Sequence, residues 1–211
     1  MQDFKGVKVA QIQRAIEAKK QSFDTQWLGR SLAYTPYQPR PLDLKRKDNI
    51  FSLYRFYEDE PSHFLYNAKE FEKDAKAFIV ESLELVTYLR RYVRTPLIYD
   101  FLILDAYQLL EALVYGVDGV MLYPQYLTQP QLKELSDYAL RLGMECLFCI
   151  QSKEDLTKAI FAKAQILNLN ENFSLIPLIP KGKIIISPIH TEQTPLNVMN
   201  ALDAKIIKLK I

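Results

Sequence analysis

The sequence predicts an α/β fold in which eight parallel strands alternate with helices, either closed as a (β/α)8 barrel or wound as an open sheet. Short apolar runs recur from residue 50 onward, amphipathic helical stretches separate them, and most runs are apolar at successive positions. Continuous apolar runs are typical of strands that are covered on both faces, as in a parallel sheet. At 211 residues the chain is long enough to bury the core of such a fold.

Two segments precede this alternation. Apolar side chains recur every three to four residues over 7–22, which predicts an amphipathic N-terminal helix. Within residues 27–47, the stretch TPYQPRPLDLKRK contains three prolines, which favour extended backbone. We expect this segment to lie as an ordered strap against the rest of the chain. The whole chain, 1–211, is then one domain, with the barrel over 48–211.

The strands and helices are assigned from apolar runs and helical spacing. The predicted strands are Ile50–Tyr54, Ala77–Val80, Pro96–Tyr99, Gly119–Tyr123, Glu145–Ile150, Gln165–Asn168, Lys183–Ser187 and Ala204–Leu209. The predicted helices are Leu83–Val93, Asp105–Tyr115, Gln131–Leu142, Ser152–Phe161 and Pro195–Leu202. The stretch NFSLIPLIP is too short and proline-rich for a full helix, so helix six is expected to be short or missing. The sequence ends directly after the eighth strand, which predicts no eighth helix.

Composition excludes several classes of protein. A net charge of +2 is too small for a nucleic-acid-binding surface, and no apolar run reaches the roughly 20 residues of a membrane span. The first 20 residues lack the apolar core of a signal peptide, and two cysteines cannot staple a secreted domain. We therefore expect a cytoplasmic protein with no nucleic-acid or membrane partner.

The scaffold resembles the indole-3-glycerol phosphate synthases, which are TIM barrels with an extra N-terminal helix. The similarity is clearest in residues 96–123, 127–156 and 178–187, which include an Asp-x-Tyr-Gln helix start at Asp105–Gln108 and an IPKG turn. The resemblance implies a closed, trimmed TIM barrel. It also implies a reaction that closes an anthranilate-derived, phosphorylated ribulose onto its ring, with loss of carbon dioxide and water.

Most positions that carry chemistry in that family hold other residues here. The resemblance implies a general-acid lysine at the end of strand three, where this chain has Asp100. The family's Glu-x-Lys pair in strand one aligns with Ser52 to Tyr54, so both charges are expected to be absent. The glutamate of strand five aligns with Cys149. An ionised Asp100 would repel an anionic substrate by roughly 4 kcal/mol at close approach, at an effective dielectric constant of about 20.

The ends of strands six and seven retain some of the family's polar residues. The family's Asn-x-Arg becomes Asn168 and Asn170, and its Ser-Glu-Ser-Gly becomes Ser187 to His190. The candidate catalytic residues are therefore Asn168, Asp100 and Ser187. The candidate substrate-binding residues at the barrel mouth are Ser52, Tyr54, Tyr99, Tyr123, Cys149, Asn170 and His190. Asn168 has an equal alternative, in which its amide only satisfies a buried backbone group.

A phosphate site is not expected. Barrels usually hold phosphate in loops after strands seven and eight, against a helix N-terminus. After strand seven this chain reads SPIHTEQTP, which has no glycine and contains Glu192.

Neither a metal nor a cofactor is expected. The two histidines, His63 and His190, lie outside any metal-binding motif, and no nucleophile elbow supports a Ser-His-Asp triad. Cys146 and Cys149 have C-x-x-C spacing within a strand, which places them on opposite faces as buried thiols.

Aromatic residues are frequent near the strand ends. Six of them are Tyr54, Phe56, Tyr57, Tyr99, Tyr123 and Tyr126. We expect these rings to plug the barrel mouth, with a sticky partner surface as the alternative.

The sequence thus favours a degenerate barrel without the synthase reaction that acts as a binding, scaffold or regulatory protein. The alternatives are the synthase reaction itself, a related lyase with a remodelled site, or a binder of a small anionic or aromatic ligand at the mouth. The outer faces of Ile206 and Leu209, uncovered without an eighth helix, predict a homodimer or another protein partner.

Overall fold

The computed structural model of the protein describes residues 9–56, 61–189 and 194–209. Eight parallel strands form a closed barrel in chain order, and pairing of the first strand with the last completes it. The strands are β1 (Phe51–Phe56), β2 (Ala75–Val80), β3 (Leu97–Tyr99), β4 (Gly119–Leu122), β5 (Glu145–Cys149), β6 (Ile166–Asn168), β7 (Ile184–Pro188) and β8 (Ala204–Leu209). The closed barrel is confirmed, and the open sheet is excluded.

Helices surround the barrel and precede it. They are α1 (Val9–Ser22), α2 (Thr25–Ser31), α3 (Pro61–Phe71), α4 (Leu83–Arg90), α5 (Ala106–Tyr115), α6 (Gln129–Arg141), α7 (Lys153–Phe161) and α8 (Leu196–Ala201). The extra N-terminal helix is confirmed as α1. The sixth crossover carries only a 3-10 helix, Phe173–Leu178, as its prolines predict. No helix in the described part of the chain is long and apolar enough to cross a membrane.

The sequence analysis missed α2 and α3. α2 is a short helix whose start depends on Asp24, whose side chain accepts hydrogen bonds from the backbone N–H groups of Gln26 and Trp27. A seven-residue helix has too few turns for an apolar period to be visible. The sequence feature that could have indicated α2 is its N-cap residue, Asp24.

Strand residues alternate between two buried layers. Inward side chains such as Leu53, Ile98 and Met121 fill the barrel, while Phe78 and Phe148 pack outward against the helices. Cys146 belongs to the outer layer and Cys149 to the inner one, and both are free thiols. Their predicted placement on opposite faces is confirmed.

Residues 35–50 contain neither helix nor strand and lie at the amino-terminal ends of the strands. The Arg40 backbone N–H donates to Asp118 Oδ1 at 2.6 Å, just before β4, and its guanidinium donates to the Thr95 carbonyl at 2.6 Å, just before β3. Leu42 and Leu44 are buried in the inner core layer. This segment therefore covers the amino-terminal ends of the strands, and active sites of TIM-barrel enzymes lie at the opposite, carboxyl ends.

Candidate active site at the carboxyl ends of the strands

Three buried polar side chains meet inside the barrel near the carboxyl ends of the strands. Arg55 of β1 forms an ion pair with Asp100, the residue after β3, through Nη2 and Oδ2. Tyr123, the residue after β4, donates its hydroxyl proton to the other carboxylate oxygen, Oδ1. The exposed fractions of Arg55, Tyr123 and Asp100 are 3%, 2% and 0%. The three residues are called the Arg55–Asp100–Tyr123 cluster below.

Strand alternation places the cluster at one level. Arg55 follows Leu53 on the inward face of β1, and Asp100 and Tyr123 continue the inward faces begun by Ile98 and Met121. The Asp100 backbone N–H donates to the Val80 carbonyl at 2.9 Å, which extends the β2–β3 pairing by one residue. The backbone of the barrel therefore holds the carboxylate in place.

Polar groups from β5 and β6 complete the site. Cys149, Gln151, Asn168 and Asn170 line a cavity of about 10 Å3 beside Arg55 and Tyr123. That volume is close to the minimum for one water molecule, so this cavity, among the described residues, holds no larger ligand. A substrate would have to lie above the cluster, toward the loops.

The two ends of the Asn168 side-chain amide have different environments. Its Oδ1 accepts a hydrogen bond from the Asn170 backbone N–H at 3.1 Å, which matches the structural alternative. Its Nδ2 lies 3.6 Å from Cys149 Sγ and 3.8 Å from Met121 Sδ, within the cavity wall. The carbonyl of this amide therefore stabilises the backbone, while the NH2 group contacts only sulfur atoms among these partners.

Ser187 binds the backbone of neighbouring loops. Its hydroxyl accepts from the Glu171 N–H at 2.9 Å and donates to the Pro188 carbonyl at 2.9 Å. The residue is fully buried. These two bonds engage the hydroxyl in joining the loop after β6 to β7, and they keep it apart from the cluster.

Burial controls the protonation of the cluster and its neighbour. It raises the pKa of Tyr123 well above the ordinary tyrosine value, and nearby Cys149 and Asp100 add to the shift. Burial, with the nearby carboxylate of Asp100, also raises the pKa of Cys149 to about 12. At neutral pH the tyrosine is therefore a proton donor and the cysteine a neutral thiol.

Three residues predicted for the mouth lie on the outside of the barrel instead. Tyr54 stacks on Phe71 of α3, with ring centroids 4.7 Å apart, and Ser52, two positions earlier in β1, lies on the same face of the strand. Tyr99 belongs to the outer layer and stacks on Phe101. The reason is alternation: inward side chains occupy every second position, and these residues hold the positions between them.

The predicted aromatic plug is correspondingly wrong in its composition. Phe56 packs outward against Phe64 and Phe78. Of the named rings, Tyr123 is the one inside the cluster, and its neighbours there are an arginine and an aspartate. Tyr57 lies outside the described residues.

The histidines form no metal site in the described part of the chain. His63 is exposed on α3, and His190 lies outside the described residues. Among the described residues, no group of three or more His, Cys, Asp or Glu side chains could hold a metal ion.

The family model and the similar proteins that match this chain carry the same family name. The indole-3-glycerol phosphate synthase family matches residues 74–174. The chain is 35% identical to the indole-3-glycerol phosphate synthase of Campylobacter concisus over 204 residues, covering 82% of this chain and 78% of that protein. It is 37% identical to that of Campylobacter curvus, with the same coverage, and 32% identical to that of Sulfurimonas denitrificans, covering 80% of this chain and 77% of that protein.

Solved structures show the same fold at low identity. Orotidine 5'-monophosphate decarboxylase from Sulfolobus solfataricus superposes with a TM-score of 0.61 at 14% identity, over 76% of this chain and 88% of that chain. A mutant tryptophan synthase alpha-subunit from Pyrococcus furiosus gives 0.59 at 14% identity, over 77% and 88%. At this identity the likeness extends to the barrel alone.

The structure also corrects the expected loss of charge from strand one. The inward pair is Leu53 and Arg55, one residue later than the alignment to Ser52 and Tyr54. Read in this register, the Glu-x-Lys pair becomes Leu-x-Arg, so the glutamate is lost but a cation is kept. The sequence signal for Arg55 was a lone charge inside the apolar run FSLYRF.

These findings correct the functional prediction as well. The expected repulsion by Asp100 does not hold, because Arg55 neutralises it. The curated relatives named above are synthases, which contradicts the prediction of a scaffold barrel without the reaction. With the identities and coverage of these relatives, the chain belongs to the indole-3-glycerol phosphate synthase family.

Proposed function

We propose that this chain catalyses the indole-3-glycerol phosphate synthase reaction, a carbon–carbon lyase step of tryptophan biosynthesis, with a remodelled active site. The relatives' names support the reaction. The observation that carries the proposal is the Arg55–Asp100–Tyr123 cluster, which supplies a cation and a proton donor at the end of the barrel where such enzymes act.

Arg55 takes the electrostatic role. Ring closure and dehydration both develop negative charge on a substrate oxygen, and a guanidinium in a dry site stabilises such charge strongly. Asp100 holds the guanidinium in place through the ion pair. Because the pair is neutral overall, it does not repel the carboxylate and phosphate of the substrate.

Tyr123 takes the proton-donor role that the resemblance assigns to lysine. Its raised pKa keeps the hydroxyl protonated at neutral pH. Dehydration removes a hydroxyl and a hydrogen from adjacent carbons. The proton that Tyr123 gives to the departing hydroxyl leaves as water, and the proton from the neighbouring carbon restores the tyrosine. Arg55, close to the same carboxylate, stabilises the transient tyrosinate.

Purified protein is incubated with the carboxyphenylamino deoxyribulose phosphate, and indole fluorescence is followed. We expect turnover by the wild type and a loss of roughly 10²- to 10⁴-fold in kcat for Tyr123→Phe, as for removal of a general acid. Tyr54→Phe is the matched control, because Tyr54 packs on the outer layer. A folded wild-type chain without turnover, or a Tyr123→Phe variant with wild-type kcat, would overturn the proposal.

We also propose a location and a partner for the chain. A cytoplasmic location is supported by the two free, buried cysteines and by the proposed biosynthetic reaction. The sequence prediction named Ile206 and Leu209 for the outer face of β8, but Ile206 is 1% exposed and lies in the inner layer, because alternate strand residues point inward. A homodimer over this face is supported instead by the half-buried side chains of Ile207 and Leu209. Sedimentation of the purified chain tests the dimer.

A further inference from the structure

A second cavity lies outside the barrel, between α1 and the corner where β3 leads into α5. Its volume is about 160 Å3. Its walls are Ile12 and Ile16 of α1, the rings of Tyr99 and Phe101, and Glu111 of α5. It shares no lining residue with the cavity at the cluster.

The size of this cavity matches one aromatic ring. A cavity of about 150 Å3 lined by apolar side chains binds benzene in another protein. Here two aliphatic side chains face a stacked aromatic pair, since the Tyr99 and Phe101 rings lie 5.8 Å apart with 14° between their planes. Such walls favour a flat apolar ligand.

The Tyr99 hydroxyl is a hydrogen-bond donor in the wall of the cavity. Tyr99 is only 7% exposed, and no residue in the described ranges 9–56, 61–189 and 194–209 hydrogen-bonds with its hydroxyl. Burial raises its pKa, so the hydroxyl remains a donor at neutral pH. A hydroxyl that has no protein partner in the described ranges is available to donate to a ligand that carries an acceptor.

The other polar groups of the cavity already have partners. The Gln108 carboxamide bonds with the Leu104 N–H at 2.7 Å and the Leu102 carbonyl at 2.9 Å. Lys19 Nζ lies 2.6 Å from Glu111 Oε1, an ion pair that ties α1 to α5 beside the cavity. The hydroxyl of Tyr99 is therefore the group that would select a ligand.

We infer that this cavity is a binding site for a small single-ring aromatic molecule that carries one hydrogen-bond acceptor, as a phenol does. The ring lies between α1 and the Tyr99–Phe101 pair, and its oxygen accepts from Tyr99. The site is separate from the cluster and depends on no step of the proposed reaction.

Titration of the full chain with 4-fluorophenol and with fluorobenzene, followed by 19F NMR, tests the site. The two probes differ only by the hydroxyl. We expect saturable binding of both and tighter binding of 4-fluorophenol. Tyr99→Phe should weaken 4-fluorophenol roughly threefold to tenfold, the effect of one hydrogen bond, and leave fluorobenzene unchanged.

Two helix-surface variants locate the bound probe. Ala15 lines the cavity and is exposed, so Ala15→Leu fills the space at little risk to folding and should abolish binding of both probes. Ala18→Leu, the same change at another exposed position of α1, should leave binding intact. Equal affinity of the wild type for the two probes, no saturable binding at millimolar concentrations, or full binding by Ala15→Leu would overturn the inference.

Discussion

Arg55 and Asp100 form an ion pair inside the barrel although 45 positions separate them along the chain. Both side chains are almost fully buried, with exposed fractions of 3% and 0%. The hydroxyl of Tyr123 completes the coordination of the carboxylate. A buried pair of this kind costs desolvation, so each partner depends on the other for its place in the barrel.

Removing one charge of the pair should destabilise the fold far more than removing both. Arg55→Met leaves a buried carboxylate without its cation, and we expect a loss of about 3–5 kcal/mol in the free energy of unfolding. The double variant Arg55→Met, Asp100→Leu should recover most of that loss, because no buried charge remains. Urea denaturation measures both. Equal losses in the single and double variants would contradict the pairing.

Alkaline pH should unfold the chain through its buried tyrosines. Burial raises the pKa of Tyr123 above the ordinary value of 10.0, so the unfolded chain releases this proton first. The stabilisation is therefore complete below pH 10 and is lost as the pH rises above it. Tyr123→Phe should reduce the slope of unfolding free energy against pH in that range.

The control for this titration is Tyr66→Phe, since Tyr66 is 71% exposed. That variant should keep the wild-type slope. If Tyr123→Phe also keeps it, the hydroxyl is not buried as described.

The two cysteines should be inert in the folded protein. Burial raises the pKa of Cys149 to about 12, and it raises that of Cys146 as well. Thiolate is the reactive form, so neither should react with a thiol reagent at neutral pH until the chain unfolds. Ala18→Cys, on the exposed face of α1, should react at once and shows that the reagent is active. Rapid labelling of the native wild type would contradict the burial.

Asp118 should be the most sensitive acidic residue at the closed end of the barrel. It forms an ion pair with Arg90 and accepts from the backbone N–H groups of Arg40 at 2.6 Å and Leu97 at 2.8 Å. We expect Asp118→Ala to cost about 3–5 kcal/mol in unfolding free energy, because it leaves a buried cation and two donors without their acceptor.

Asp137→Ala is the matched control for Asp118→Ala. Its carboxylate pairs with Lys133 on the surface of α6, where its side chain is 41% exposed. Exposed pairs contribute at most about 1 kcal/mol. Comparable losses at both positions, measured by urea denaturation, would contradict the structural role of the Asp118 carboxylate.

Local pattern was sufficient to predict most of the scaffold. Continuous apolar runs and capped helices such as α6, with Thr128 at its start, lie within a few residues of their predicted bounds. The strand pattern also predicts the separation of Cys146 and Cys149 by parity alone. Helix α2 was not predicted because it is too short to show an apolar period. The contact of Arg40 with Asp118 was not predicted because the two residues are 78 positions apart in the chain.

The candidate site depended on a one-residue register that the alignment did not determine. A shift of one position moves every side chain of a strand to the opposite face. Aligned at Ser52 and Tyr54, β1 loses both charges; in the structure, Arg55 points inward and pairs with Asp100. The same parity moves Tyr54 and Tyr99 from the mouth to the outer layer.

The sequence by itself determined the alternation of strands and helices, the trimmed sixth crossover and the family resemblance that implies a closed barrel, because these follow from periodicity and from stretches that are contiguous in the chain. Only the tertiary structure decided which side chains meet. The charge of Asp100 is compensated by an arginine from another strand, and the cavity beside Tyr99 exists because α1 packs over β3 and α5. Such contacts depend on which face of a strand points inward and on how elements far apart in sequence pack together. Local sequence patterns contain neither kind of information.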